Sequence, residues 1–219
     1  MKICAATGNA GKLRELRRIL EAQGHEVVSQ KELGITTEPD ETGTTFAENA
    51  KIKAETICKE SGLPTIADDS GLCVDALNGE PGVYSARYCG HHGDDEANND
   101  KLLDAMKDVP ADKRGAKFVS AVCFILPTGE SLTCMGECPG SVAFERLAGD
   151  YGFGYDPLFI PEECGVGKHD KRANTEGRSY AQLTPDEKDA ISHRGNALAE
   201  LERELPGFLK KQNETNHTN

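Results

Sequence analysis

The amino-acid sequence predicts an α/β fold with a mixed sheet. Short apolar runs of strand length alternate with longer segments in which apolar residues recur at helical spacing. Capping boxes that begin at Thr45 and Thr184 mark the starts of two helices. A Pro-Thr-Gly turn at residues 127–129 joins two strand-like runs, which adds an antiparallel hairpin to the interleaved pattern.

The first third of the chain alternates between strand and helix. Residues 2–6 form a short apolar run that predicts a buried strand, and residues 11–22 carry leucines on one helical stripe. The capping box at Thr45 opens a second helix with an apolar face. Residues 64–67 then predict a short strand that ends at an aspartate pair.

The rest of the chain continues this order. Residues 98–106 predict a helix, and residues 118–126 and 131–135 predict the two strands of the hairpin. The capping box at Thr184 opens a last helix that runs to about Leu205, with a break at Ser192. We expect one domain over residues 1–205 and a polar, disordered tail over residues 206–219.

Composition excludes several classes of partner. A net charge of −12 disfavours binding to a nucleic acid polymer. The sequence has no apolar run of membrane-spanning length and no secretory leader at its start, so we expect a cytoplasmic protein without a membrane partner. The eight cysteines form no C-x-x-C pair, which favours reduced core thiols over a zinc site.

The segment between the first strand and the first helix has the composition of a phosphate cradle. It consists of Thr7, Gly8, Asn9, Ala10, Gly11 and Lys12. Backbone N–H groups at a helix N-terminus bind anions, and Lys12 adds a cation. It is not a P-loop, because Ala6 replaces the first glycine and Leu13 replaces Ser or Thr, so a kinase or ATPase of that type is disfavoured. An ordinary strand-to-helix turn explains the segment equally well.

Cations are predicted to point inward from two apolar helix faces. On an ideal helix Lys53 lies on the same face as Phe46 and Ile57, roughly 20° from the first and roughly 40° from the second. Arg194 shares the face of Ile191 and the following leucines if the last helix is continuous. A buried cation is costly unless it is paired. These cations therefore indicate one anion site, with buried ion pairs, or a lysine that reaches solvent at the helix edge, as the alternatives.

Two further segments are rich in ligand-type residues. Asp68 and Asp69, with Glu41 upstream, offer the oxygen ligands that magnesium prefers; a solvated acidic turn is the alternative. The segment GFGYDP, which begins at Gly152, places aromatic rings between glycines and suits base stacking. A structural turn with core aromatics is the competing interpretation.

The order of these segments resembles a known family. TGNAGK, ETGTTFAENAKIKA, ADDSGL, PGVYSAR, GFGYDP and EKDAISHR follow one another as in the inosine triphosphate pyrophosphatases, the dITP/XTP pyrophosphatases of bacterial type. The resemblance covers residues 2–205. It implies an elongated, two-lobed domain with a long mixed sheet, an active-site cleft between the lobes, Mg²⁺ as cofactor and a homodimer.

The resemblance also implies roles for individual residues. The segment from Thr7 to Lys12 and Lys53 would hold the phosphates, and Arg87 would contact them too. Glu41 and Asp69 would bind magnesium, Asp69 would accept a proton, and Ser70 would contact substrate. The residues that would bind the nucleoside are Phe153, Gly154, Tyr155, Asp156, Lys188, His193 and Arg194.

The implied reaction is hydrolysis of ITP, dITP or XTP to the monophosphate and pyrophosphate. Arg194 and a protonated His193 offer only hydrogen-bond donors, which suit the 6-keto group of hypoxanthine and xanthine and not the 6-amino group of adenine. Two alternatives remain: a pyrophosphatase for other modified nucleotides, and a sensor that binds nucleotide without turnover.

Overall fold

A computed structural model describes residues 1–166 and 170–216, without the side chains of residues 213, 215 and 216. Its main sheet has six strands in the order β2-β1-β3-β4-β5-β6, and β7 and β8 form a separate pair. The strands are β1 Lys2–Ala5, β2 Glu26–Ser29, β3 Thr65–Val74, β4 Gly115–Ile125, β5 Ser131–Val142, β6 Phe159–Pro161, β7 Glu163–Val166 and β8 Asp170–Ala173.

The helices lie on both faces of this sheet. They are α1 Ala10–Ala22, α2 Phe46–Ser61, α3 Asp95–Met106, α4 Pro185–Asp189 and α5 His193–Asn216. Both predicted capping boxes are present, at Thr45 and Thr184. The predicted break also occurs: the Ser192 hydroxyl accepts a hydrogen bond from the Gly195 N–H at 3.0 Å at the start of α5.

The mixed character of the sheet is confirmed. β1 pairs in parallel with β2 and β3. The pairs β3–β4, β4–β5 and β5–β6 are all antiparallel. The sequence pattern missed β2 because a four-residue strand is too short to show periodicity. It also ended β3 too early, since the polar run Asp68–Ser70 lacks strand character by composition. Continuous pairing with β4, from Thr65 to Val74, holds that run in the sheet.

Three apolar clusters divide the fold into two lobes. One cluster packs α1 and α5 on one face of the parallel part of the sheet, and a second packs α2 on the opposite face. The third surrounds the far halves of β3, β4 and β5 together with α3 and the segment around Tyr180. The first two clusters form one lobe, and the third cluster forms the other. A cavity of about 200 Å³ lies between α1 of the first lobe and Leu183 of the second, where a cleft is predicted.

The end of α5 differs from the prediction. The helix continues to Asn216, past the expected end near Leu205, so residues 206–216 are helical and not a disordered tail, and the last part of the predicted tail, residues 217–219, lies outside the described residues. Phe208 and Leu209 pack against the α1–α5 cluster, and the Phe208 ring meets Phe124 edge to face at 6.3 Å. This contact stabilises the helix although Pro206 lies inside it. Among the described residues, no helix is long and apolar enough to cross a membrane.

Candidate active site

The loop between β1 and α1 forms the predicted helix N-terminus. The Asn9 side chain caps α1 by accepting a hydrogen bond from the Lys12 backbone N–H at 3.0 Å. Thr7 accepts one from the Asn9 N–H at 3.1 Å. Gly8 and Ala10 are exposed, so an anion can approach where the helix dipole and unpaired N–H groups favour it.

Asp68 and Asp69 point to opposite faces of the sheet, because neighbouring residues of a strand alternate. Asp68 lies opposite Val122, which belongs to the α1–α5 cluster. Asp69 lies opposite Ala121, which belongs to the α2 cluster. The expectation of a side-by-side aspartate pair at the end of a strand is therefore wrong, and each carboxylate has its own cations.

Asp68 is fully buried and accepts hydrogen bonds on both oxygens. Its Oδ2 accepts from Lys12 Nζ at 2.9 Å, Arg194 Nη2 at 3.0 Å and Ser70 Oγ at 3.1 Å, and its Oδ1 accepts from the Ser120 hydroxyl. Burial acts to raise the pKa of Asp68, but Arg194 and Lys12 hold it well below its usual value. Burial lowers the pKa of Lys12, and Asp68 opposes that shift.

Asp69 and Glu41 share a cation. Lys53 Nζ donates to Asp69 Oδ1 at 2.9 Å and to Glu41 Oε1 at 3.0 Å. Arg87 Nη1 lies 3.4 Å from Glu41 Oε2. Lys53 points inward as expected, but its partners are two carboxylates of the chain, Glu41 in a loop and Asp69 on β3, which are the contacts of the buried ion-pair alternative.

Asp69 Oδ2 is buried and has no hydrogen-bond partner among the described residues. Burial raises the pKa of Asp69 above its ordinary value, although Lys53 acts to lower it. An unpartnered carboxylate oxygen in a buried site suits either a metal ion or a proton. The donor set of Asp69 and Glu41 is compatible with magnesium, which binds proteins through one or two carboxylates and completes its shell with water and phosphate. Across the described ranges, no larger cluster of three or more His, Cys, Asp or Glu side chains is placed to hold a metal.

Within the GFGYDP segment, one aromatic residue lines the cavity and the other is buried in the core. Phe153 is half-buried and lines the cavity, with its ring so close over Gly11 that a Cβ there would come within 2.4 Å of it. Tyr155 is buried in the third cluster, where its hydroxyl donates to the Ser85 carbonyl at 2.7 Å. Gly154 adopts a φ of 61°, a left-handed conformation that glycine accepts without strain. Stacking on a ring is therefore open to Phe153, whereas Tyr155 fits the structural-turn interpretation.

Below Phe153 lies a chain of buried ion pairs. Lys188 Nζ donates to Asp156 Oδ2 at 2.7 Å and to Glu15 Oε1 at 2.8 Å, and Arg194 Nη1 donates to the other Glu15 oxygen. Asp156 also accepts from the Phe153 N–H at 3.0 Å. Lys188 and Arg194, the inward cations of α4 and α5, thus pair with carboxylates of the chain, which agrees with the alternative of buried ion pairs. Lys188 and Glu15 also line the open cavity.

His193 is buried against aromatic rings. Its ring stacks on Phe118, with centroids 4.7 Å apart and planes 14° from parallel. Burial, with Arg194 and Lys188 nearby, lowers the pKa of His193 well below its ordinary value. The imidazole is therefore neutral at physiological pH and offers one donor and one acceptor, not the two donors of a protonated ring.

Two residues of this network were not singled out from the sequence. Glu15 lies three residues after Lys12 and four after Gly11, which is the spacing of one helix face, so helical geometry could have placed it beside the phosphate loop. Ser120 gave no such indication, because its contact with Asp68 depends on the register between β3 and β4.

The fold and the site together define an α/β protein with a cleft for a phosphorylated small molecule. An exposed helix N-terminus leads to Lys12, which pairs with Asp68, and the neighbouring residue of β3, Asp69, pairs with Lys53 and carries a buried unpartnered oxygen. Comparison with known families identifies the particular group: residues 3–204 match the Ham1 family, and the chain belongs to it.

Relatives and solved structures agree with this assignment. A dITP/XTP pyrophosphatase of Nocardia farcinica is 48% identical over 203 residues, covering 91% of this chain and 92% of the relative. A crystal structure of the nucleoside-triphosphatase, or dITP/XTP pyrophosphatase, of Mycobacterium abscessus is 49% identical and superposes with a TM-score of 0.68 over 92% of this chain and 98% of that one. A HAM1 protein of Coxiella burnetii is 37% identical, with a TM-score of 0.77 over 94% of this chain and 99% of that one.

Proposed function

We propose that this chain hydrolyses non-standard purine nucleoside triphosphates, namely ITP, dITP and XTP, to the monophosphate and pyrophosphate. The observation that carries the proposal is the placement of Asp69: its unpartnered oxygen is buried beside Lys53 and Glu41, in a protein whose relatives are named dITP/XTP pyrophosphatases. Water attacks the α-phosphorus, the bond to the bridging oxygen breaks, and pyrophosphate leaves with the bonding electrons.

The triphosphate binds by exchange of ion-pair partners. Lys12 and Lys53 are each held by a carboxylate of the chain, and the two ammonium groups are close enough that the charge of Lys53, together with burial, lowers the pKa of Lys12. A triphosphate carries a larger total negative charge than a carboxylate, so a bound triphosphate draws both ammonium groups toward itself. The lysines then stabilise the charge that develops on the leaving pyrophosphate.

Asp69 accepts the proton of the attacking water. Its Oδ2 has no competing donor, and burial raises its pKa, which brings its basicity closer to what proton transfer at neutral pH requires. Before substrate binds, Lys53 holds the other oxygen of the carboxylate and so leaves Oδ2 as the open one. Glu41 and Asp69 would hold the magnesium ion, which when bound supplies positive charge to the phosphate oxygens.

The cleft favours a 6-keto purine. Phe153 offers the face of its ring, and Lys188, which lies over that ring and lines the cavity, is a hydrogen-bond donor that an O6 atom can accept from. Arg194 is a second candidate donor, because its Nε has no partner among the described residues. The 6-amino group of adenine would leave such donors unpaired, at a cost of roughly 1–3 kcal/mol for each buried group. The neutral His193 contributes a donor on one nitrogen only.

We further propose that the enzyme acts as a homodimer in the cytoplasm. The resemblance to the pyrophosphatase family supports the dimer. All eight cysteines lie among the described residues and are free thiols, which suits a reducing compartment.

A panel of nucleoside triphosphates with Mg²⁺ tests the proposed reaction. ITP, dITP, XTP, ATP, GTP and modified pyrimidine triphosphates are incubated with the enzyme, and pyrophosphate, orthophosphate and the nucleotide product are quantified. We expect IMP and pyrophosphate from ITP, and little turnover of ATP. IDP with orthophosphate as first products contradicts the mechanism. Tight binding of ITP without turnover supports the sensor, and preference for a modified pyrimidine supports the other alternative.

A further inference from the structure

Asp68 joins four elements of the fold at one buried carboxylate. The aspartate lies on β3, and its partners Lys12, Arg194 and Ser120 come from α1, α5 and β4. Its side chain is completely buried, and that of Arg194 is 1% exposed. Ion pairs at such a position are strong because water does not screen them.

A single oxygen of Asp68 accepts from both cations. Lys12 Nζ lies 2.9 Å and Arg194 Nη2 lies 3.0 Å from Oδ2. Lys12 belongs to the phosphate loop, whereas Arg194 is also held by Glu15, which lines the cavity beneath Phe153. The two halves of the substrate site therefore share one acceptor atom.

We propose that Asp68 is a positioning residue that couples the phosphate subsite to the purine subsite. The inference rests on the proposed function, because it takes Lys12 as a phosphate ligand and Arg194 as a purine ligand. When a triphosphate draws Lys12 away, Asp68 loses one of its two cations. Its full charge then acts on Arg194, which is held more firmly in the orientation that receives the base.

The coupling has a thermodynamic consequence that does not require turnover. Binding of a polyphosphate should increase the affinity for a nucleoside, and by linkage the nucleoside should increase the affinity for the polyphosphate by the same factor. The same contacts predict that removing the Asp68 charge strengthens phosphate binding but abolishes the coupling between the two ligands. Lys12 is freed from a competing carboxylate and binds phosphate more tightly, while the link to Arg194 is lost.

The test uses calorimetric titration of inosine and inorganic tripolyphosphate in buffer without divalent metal, where no turnover occurs. In the native chain we expect saturating tripolyphosphate to lower the Kd of inosine at least about fivefold. In Asp68→Asn that factor should fall to near one, while the Kd of tripolyphosphate alone falls by up to about tenfold. Loss of binding through simple loosening of the site would weaken both ligands together.

Ser120→Ala is the matched control. It removes a hydrogen bond from Asp68 Oδ1 but keeps the charge and both cation contacts of Oδ2, so most of the coupling should remain. Lys12→Met serves if Asp68→Asn does not fold, and it should also bring the factor to near one. A factor of one in the native chain, or an unchanged factor in Asp68→Asn, overturns the proposal. Because both ligands are unreactive here, failure of the coupling is distinct from failure of ITP to release pyrophosphate.

Discussion

Replacing Asp69 by asparagine should lower the catalytic rate while raising the stability of the fold. Asp69→Asn keeps the shape of the side chain but removes the charge, the proton acceptor and one candidate magnesium ligand. Loss of a general base costs about 10²–10⁴-fold in rate, and weaker metal binding adds to this loss. We therefore expect kcat for ITP to fall by at least about 10²-fold, with KM less affected because Phe153 and the phosphate loop are unchanged.

The same substitution should stabilise the fold. Burial raises the pKa of Asp69 in the folded state, with Lys53 offsetting only part of the effect. A carboxyl whose pKa is higher in the folded state than in the unfolded state opposes folding above the unfolded pKa, because ionisation is then easier in the unfolded chain. A pKa that differs by one between the two states changes the free energy of unfolding by about 1.4 kcal/mol. Each kcal/mol corresponds to roughly 2–4 °C in Tm for a chain of this size.

The assay combines initial rates with thermal melting. kcat and KM for ITP are measured across a magnesium titration, and Tm is measured from about pH 7 down to about pH 4. The gain in Tm should be largest near neutral pH and should shrink as the native Asp69 becomes protonated. Glu60→Gln, at an exposed position of α2, is the control and should change neither quantity. Turnover near the native rate at saturating magnesium would show that Asp69 is not the catalytic carboxylate, and Asp68 or Glu41 would be tested next.

Four other predictions follow from the site and the fold. Chelation of magnesium by EDTA should stop pyrophosphate release, and excess Mg²⁺ should restore it; metal-free activity would contradict the assignment. Light scattering should give about twice 23.6 kDa, and a fully active monomer would refute the dimer. Phe208→Ala should lower the free energy of unfolding by about 1–3 kcal/mol without changing KM, because its half-buried ring packs on Phe124 far from the cleft. Iodoacetamide at neutral pH should leave turnover intact, since burial raises the pKa of Cys134 and Cys138 to about 11; inactivation of a folded sample would implicate a thiol.

Local chemistry explains why much of the fold was predictable. The capping boxes at Thr45 and Thr184 determine helix starts through contacts within four residues, and both are present. The inward direction of Lys53 follows from helical periodicity alone. β2 and the end of β3 were not predictable in this way, because pairing with distant strands determines them.

The end of the chain shows the same limit. By composition residues 206–216 are polar and include a proline, which favours a disordered tail. Two apolar residues, Phe208 and Leu209, reach the α1–α5 cluster and make continued helix favourable. The composition of residues 206–216 does not show that the α1–α5 cluster lies within their reach, so it does not predict the helix.

The sequence by itself determined the family, the order of the helices and most of the strands, and it nominated candidate residues for the site. Those properties depend on local spacing and on residue type. Only the tertiary structure decided how the charges are paired: Asp68 with Lys12 and Arg194 on one face of the sheet, and Asp69 with Lys53 on the other. Strand register and helix packing determine such partners, and they join residues up to 126 positions apart in the chain. Because burial and pairing depend on that packing, the pKa of each group in the site is also decided by the folded structure.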